Sequence, residues 1–243
     1  MKSNLTNHNL LTEDKNALKL VSITSYGLAI MTFITLVFAM FAVPISGANA
    51  PSDGGILYPY LETIERFPRD YIWQYLAMLM IATYLINIVM LKSIVNSEKQ
   101  IYMHVAIAFA IISTATLLIN YFIQVNVVPI SLLHQEFEGI ALITQYNPHG
   151  VFIAMEELGF IMMTVSFGFL VPVFKGKYTS VISIVYLIAV LSAIIGFIII
   201  TIIYGLNKLD RYEVIIILIT WLVLIINGLL IGNKARKLWQ GNF

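Results

Sequence analysis

The sequence predicts an all-α, polytopic membrane protein: a bundle of about six transmembrane helices with both termini in the cytoplasm. Three observations carry this reading. Of the 243 residues, 59% are hydrophobic and only 11% charged, and the mean hydropathy is +0.87. A soluble domain with that surface would aggregate. The apolar residues fall into runs long enough for a hydrocarbon layer about 30 Å thick, which asks for roughly 20 residues per helix. Lysine and arginine gather at alternate connections between those runs.

The runs span residues 20–43, 71–91, 101–123, 149–174, 179–204 and 214–232. The first is preceded by a polar tail, 1–19, read as cytoplasmic. Ala48-Asn49-Ala50 before Pro51 has the small-residue spacing of a signal-peptide cleavage site. The apolar stretch Leu20 to Val43 exceeds the ~7–15 residues of a signal-peptide core, so it is read as a span. Lys92 to Lys99, Lys175 to Lys177 and Lys208 to Glu213 interrupt the later runs. Asn147 reads as the N-cap of the fourth helix and Pro148 as its first residue, where a missing N–H is no loss. The chain ends in a basic segment, 233–243, so 20–232 forms a single transmembrane domain. Five helices plus a re-entrant segment is the main alternative. No internal repeat relates the first three runs to the last three.

Orientation follows from the cations near the helix ends. With six spans, Lys2, Lys15, Lys19, Lys92, Lys99, Lys175, Lys177, Lys234, Arg236 and Lys237 share one side. Arg66, Arg69, Lys208 and Arg211 share the other, outweighed by Asp53, Glu62, Glu65, Asp70, Glu136, Glu138, Asp210 and Glu213. The first set belongs in the cytoplasm of a cell-membrane protein. The outer segments 44–70 and 124–148 are the longer ones, and function concentrates in such loops. Within the second, 130–144 mixes apolar and acidic residues and reads as a short interfacial helix.

Composition excludes several classes. A net charge of +1 gives no field for nucleic acid. The absence of cysteine removes disulfides, thiolate metal sites, Fe–S clusters and cysteine nucleophiles. The four histidines are His8 in the tail and the scattered His104, His134 and His149, so neither a metal site nor a cofactor is expected. No H-E-x-x-H, G-x-S-x-G, P-loop or G-x-G-x-x-G occurs. The expected partners are the lipid bilayer, a small-molecule or lipid ligand, and a second copy or another membrane protein.

Glu156 and Glu157 are the only carboxylates inside any of the six runs. An ionised acid near the bilayer centre costs at least ~2.5–3.5 kcal/mol, so such residues face the bundle interior and find partners. The pair is similar to the paired glutamates of CAAX-type intramembrane proteases. That pattern wants arginine four positions after the second glutamate, where Ile161 stands, and the resemblance is rejected. His149 lies seven residues before Glu156, and helical spacing puts the two on one face. Ser113, Asn120 and Gln124 recur at spacings of seven and four, a polar stripe that must face protein or water, with Tyr121 beside it. Asn87, Asn227 and the Ser192/Gly196 pair read as packing residues. Arg66 and Arg69, in a loop dense with aromatics from Tyr58 to Trp73, are the expected counter-ions of the glutamates or a fork for an anionic ligand.

These residues define one candidate ligand-binding pocket in the outer half of the bundle, walled by Asn120, Tyr121, Gln124, Asn147, His149, Glu156 and Glu157 and capped by Arg66 and Arg69. The first functional expectation is binding or transport of a small or lipid-like ligand there, a glutamate exchanging the proton. The second is a membrane enzyme using Glu156 or Glu157 with His149 as an acid–base pair on an amphipathic substrate. The third is an accessory or assembly subunit whose polar residues hold helices together.

Overall fold

The structure is a computed structural model that describes residues 2–41 (side chains from Lys15), 56, 59–176 and 180–241. The Ala48-Asn49-Ala50 stretch, Asp53, Tyr58 and Lys177 lie outside the described residues. Six helices of twenty residues or more run through it: α1 Lys2–Phe41, α2 Ile72–Leu91, α3 Gln100–Asn126, α4 Val151–Val173, α5 Ser180–Tyr204 and α6 Leu209–Gln240. No strand occurs among the described residues. Five segments are long and apolar enough to cross a membrane, the last being Ser180–Gln240, which takes in both α5 and α6. That segment turns at Gly205, whose φ of +56° suits a residue without Cβ. Leucines and isoleucines such as Leu79, Ile119, Ile194 and Ile198 stay exposed on the bundle surface, as in a multi-pass membrane protein.

The helices close a ring. Each packs on its neighbours in sequence, α6 returns against α1, and α4 also meets α6 across the middle. Side-chain hydroxyls and amides bolt the neighbours together: Ser22 Oγ donates to Gly232 O at 3.0 Å, Asn87 Nδ2 to Ser25 Oγ at 2.8 Å and Ser166 Oγ to Ala106 O at 2.8 Å. Tyr212 OH donates to Ala193 O at 3.1 Å and Asn227 Nδ2 to Ile182 O at 3.3 Å. In lipid such bonds replace the hydrophobic drive that assembles soluble bundles. Hydroxyls without a partner helix turn back on their own, as Thr32 does to Leu28 O and Thr220 to Ile216 O.

The helix ends depart from the hydropathy runs. α1 starts at Lys2 and α6 continues to Gln240, through stretches read as tails, because polar side chains end a hydrophobic run without ending the backbone hydrogen-bond ladder. α4 starts at Val151 rather than at 149: Asn147 caps a turn instead, its Oδ1 accepting from His149 N at 3.0 Å while its Nδ2 donates to Ala141 O. The interfacial helix expected over 130–144 is two short pieces, Val128–Leu133 and Ile140–Ile143, separated where Gln135 and Gly139 take positive φ.

A close helix approach was also unforeseen. Ser192 and Gly196 drew attention in the sequence, yet a Cβ at Gly196 would sit in ordinary contact, 3.4 Å from Ile215. At Gly228 it would lie 2.8 Å from the backbone oxygen of Ser25, and at Gly232 3.1 Å from the Tyr26 ring. Alanine at Gly228 is therefore expected to cost about 1–3 kcal/mol, because α1 has to move. Alanine at Gly27, where nothing lies within 4 Å, is expected to be neutral or to stabilise by up to about 1 kcal/mol. Thermal unfolding of both variants in one detergent checks the contrast; equal melting temperatures would dismiss the Gly228 contact.

Candidate functional site

The residues singled out in the sequence separate into two clusters joined by α3. The first ties the segments before α2 and before α4 to the bundle. Asp70 is fully buried just before α2 and takes both arginines: Arg69 Nε lies 2.7 Å from its Oδ1 and Arg66 Nη1 3.6 Å from its Oδ2. The arginines thus do not serve Glu156 or Glu157, as expected from their position. A nearer acid holds them, four residues from Arg66 along the same turn. Gln124 Oε1 accepts from Gln145 N at 3.0 Å, and Gln145 Oε1 accepts from Gln74 Nε2 at 2.6 Å. The Tyr71 hydroxyl lies against Tyr146, Thr63 and Gln124. Burial, with Tyr71 and Asp70 nearby, pushes the Tyr146 hydroxyl well above the ordinary tyrosine range, so it remains a donor.

His149 stands apart. It precedes α4 and is exposed, whereas Glu156 is buried, so the seven-residue helical spacing never forms and no hydrogen bond or ion pair joins the two among the described residues.

The second cluster is built on Glu156, fully enclosed at the level where α3, α4 and α6 meet. Tyr121 of α3 donates its hydroxyl to Glu156 Oε1. Trp73 stands edge-on to Tyr121 at 5.6 Å and Phe152 packs on it at 6.0 Å, a collar that excludes water. Asn120 is spent one turn away, its Nδ2 donating to Phe152 O at 2.9 Å. The remaining neighbour was missed in the sequence: Glu213 of α6, also buried, faces Glu156. Glu213 was counted with the outer charges because the sixth run was begun at 214, after the Lys208 to Glu213 cluster. The helix begins at Leu209, and Glu213 lies one turn inside it. Its only sequence signal was its spacing, three before Ile216, seven before Thr220 and eleven before Leu224, all on the buried face.

Two carboxyl groups can hydrogen bond to each other only by sharing a proton, since an ionised carboxylate has no donor. Glu156 accepts from Tyr121 on one oxygen and has Glu213 beside it in the same enclosed space. Glu157 points elsewhere, about 100° around α4. It is attracted to Lys208 and faces Tyr212, and its Oε2 has no hydrogen-bond partner among the described residues.

Below Glu157 on the same face of α4 lie Ile161, Thr164 and Gly168, which with residues of α5 and α6 line an apolar groove of about 480 Å³. Tyr212 and Phe197 also line it, and Lys208 Nζ sits 4.2 Å over the Phe197 ring. Glu157, Tyr212 and Lys208 thus stand at one end of the groove. No group of three or more potential ligands that could hold a metal ion is found among the described residues. No family model, curated protein or solved structure matches the chain.

Two measurements check this geometry. The infrared spectrum of the protein is expected to contain the carbonyl stretch of a protonated carboxyl that both Glu156→Gln and Glu213→Gln remove; survival of the band in both would rule out a shared proton. Tyr121→Phe, which leaves one Glu156 oxygen without its donor, is expected to cost about 1–3 kcal/mol in thermal unfolding.

Proposed function

We propose that the chain crosses the cell membrane six times, with both termini in the cytoplasm, and binds or transports a lipid-like ligand held in the groove between α4, α5 and α6. The topology is supported by the positions of the connections. Ile94, Lys175 and Leu238 line one cavity with Leu18, which groups the lysine-bearing connections with both end segments of the chain. The 61-residue apolar segment Ser180–Gln240 is about three times the length a single span needs and folds back on itself at Gly205.

The observation that carries the ligand reading is the free oxygen of Glu157 at the end of the groove. A half-charged, half-apolar site of this kind suits an amphiphile: an alkyl chain lies along Ile161, Ile194 and Ile198, and its polar head meets Glu157, Lys208 and the Tyr212 hydroxyl. The groove opens sideways, where Ile194 and Ile198 are half exposed, so the ligand reaches it from the lipid. Glu156 and Glu213 then form a proton store one residue away on each helix, which is where a proton-exchanging glutamate was sought.

A second reading has its own observation. Tyr121, Asn120 and Glu156 engage one another and the backbone in internal hydrogen bonds, which is what an accessory subunit with a closed bundle requires.

Native mass spectrometry of the protein in mild detergent decides between them, with Glu157→Gln, Glu156→Gln and Ala193→Phe alongside. The ligand reading expects a discrete amphiphile adduct on the wild type, weakened about tenfold, or ~1.4 kcal/mol, by Glu157→Gln and by filling the groove at Ala193. Bulk phospholipid alone on every variant overturns it and favours the subunit.

A further inference from the structure

The side-chain oxygens along the groove between α4, α5 and α6 are all of one kind. Two hydroxyls stand among its described lining residues, Thr164 of α4 and Tyr212 of α6. Each has its single proton committed to the backbone. Thr164 Oγ1 donates to Phe160 O at 2.9 Å, and the Tyr212 hydroxyl donates to Ala193 O at 3.1 Å. A hydroxyl whose proton is donated elsewhere offers only lone pairs.

Glu157, one turn of α4 before Ile161, adds a third oxygen of this kind. Its side chain is buried, the residue being 8% exposed, and its Oε2 has no hydrogen-bond partner among the described residues. A carboxylate, too, only accepts. It is near enough to Tyr212 for its charge to act on that hydroxyl. This end of the groove therefore presents two acceptors, and Thr164, about two turns further along α4, supplies no donor either. The nearby cation, Lys208, has its ammonium 4.2 Å over the Phe197 ring, a cation–π contact. No ion pair joins it to Glu157 among the described residues. A buried carboxylate without a donor is unfavourable, and a ligand that brings donors relieves it.

We propose that the groove takes a single-chain amphiphile whose head is a primary ammonium; this rests on the reading of the groove as a ligand site. Such a head carries three donors and a positive charge. It pairs with Glu157 Oε2 in a charge-assisted hydrogen bond and has protons left for the Tyr212 oxygen. The alkyl chain lies along α4 from Ile161 to Phe169, about 12 Å, against Ala193 and Ile194 of α5. A fatty acid would bring a second carboxylate beside Glu157 and meet hydroxyls that have no proton to give. A quaternary ammonium would bring the charge without an N–H. The groove thus selects by hydrogen-bond donation as well as by charge.

The test is a thermal-shift titration of the full chain in a mild nonionic detergent at neutral pH, with three probes of one chain length: dodecylamine, dodecyltrimethylammonium and dodecanoate. Binding to the folded state raises the melting temperature with ligand concentration. Dodecylamine is expected to bind the wild type at least tenfold more tightly than either other probe, a ranking that needs no variant. Glu157→Gln is expected to bring dodecylamine down to the level of the other two, and Ala193→Phe, which fills the groove, to abolish its shift. Lys208→Gln, which removes the neighbouring cation, is expected to tighten dodecylamine binding several-fold. Equal affinities for all three probes that Ala193→Phe abolishes would keep the groove as a ligand site and overturn the ammonium head. A preference for dodecanoate that Lys208→Gln removes, or unchanged dodecylamine binding in Glu157→Gln, would overturn it in the same way. Absence of any shift sensitive to Ala193→Phe would overturn the ligand reading and this inference together.

Discussion

An acid enclosed among apolar helices has to be given its partners by other helices, and Glu156 imposes that constraint on this bundle. Its partners sit on α3 and α6, so the rotation and depth of both helices relative to α4 are fixed at one level. The packing below is adapted to this. Gly159, three residues after Glu156, would place a Cβ 2.4 Å from Leu117, four residues before Tyr121. Only a residue without a side chain lets α3 lie so close to α4, and that approach brings the Tyr121 hydroxyl within reach of the carboxyl. Glycine, leucine, tyrosine and glutamate therefore act as one unit. Removing a partner strands a polar group where water does not reach it.

The two ends of the bundle solve their electrostatics differently. At the end before α2, the fully buried Asp70 is compensated by arginines that keep contact with solvent, so the cations retain part of their hydration. Around it the hydrogen bonds are neutral, glutamine to glutamine, and tie Gln145 to α2 and α3. At the other end lysines compensate backbone dipoles instead, as Lys99 does at the end of α4. Between the ends, α5 packs mainly on α4 and α6 among the described residues and leaves a long row of isoleucines exposed, so the groove lies against a sparsely covered helix.

The fold was legible in the sequence because its main signal, an apolar run between charged connections, reflects the same transfer energetics that shape the structure. The charge clusters also separated α5 from α6. Hydropathy is blind to what a charged residue meets at a helix end. Glu213 and Asp70 were both assigned to solvent by their polar neighbours, and both are buried because a partner on another element waits for them. His149 failed for the converse reason. Helical spacing was extended to it through Pro148 and Asn147, whereas that stretch forms a turn and the helix begins after Gly150. The stripe of Ser113, Asn120 and Gln124 was correctly directed inward, but spacing on one helix does not say whether the facing surface is a cavity or a neighbour's backbone.

The carboxyl cluster and the groove share a structural element whichever reading of the function holds. Tyr212 and Glu213 are consecutive on α6 and so point about 100° apart: the first reaches the groove and Glu157, the second reaches Glu156. On α4 the order is mirrored, with Glu157 toward the groove and Glu156 toward Glu213. Two rigid helices thus present one face to the carboxyl cluster and the adjacent face to the groove. Under the ligand reading, a chain wedged between Ile161 and Tyr212 acts on the same two helices whose separation sets the Glu156 to Glu213 contact. Occupancy of the groove and the approach of the two carboxyl groups are then coupled through helix spacing alone, with no moving loop required.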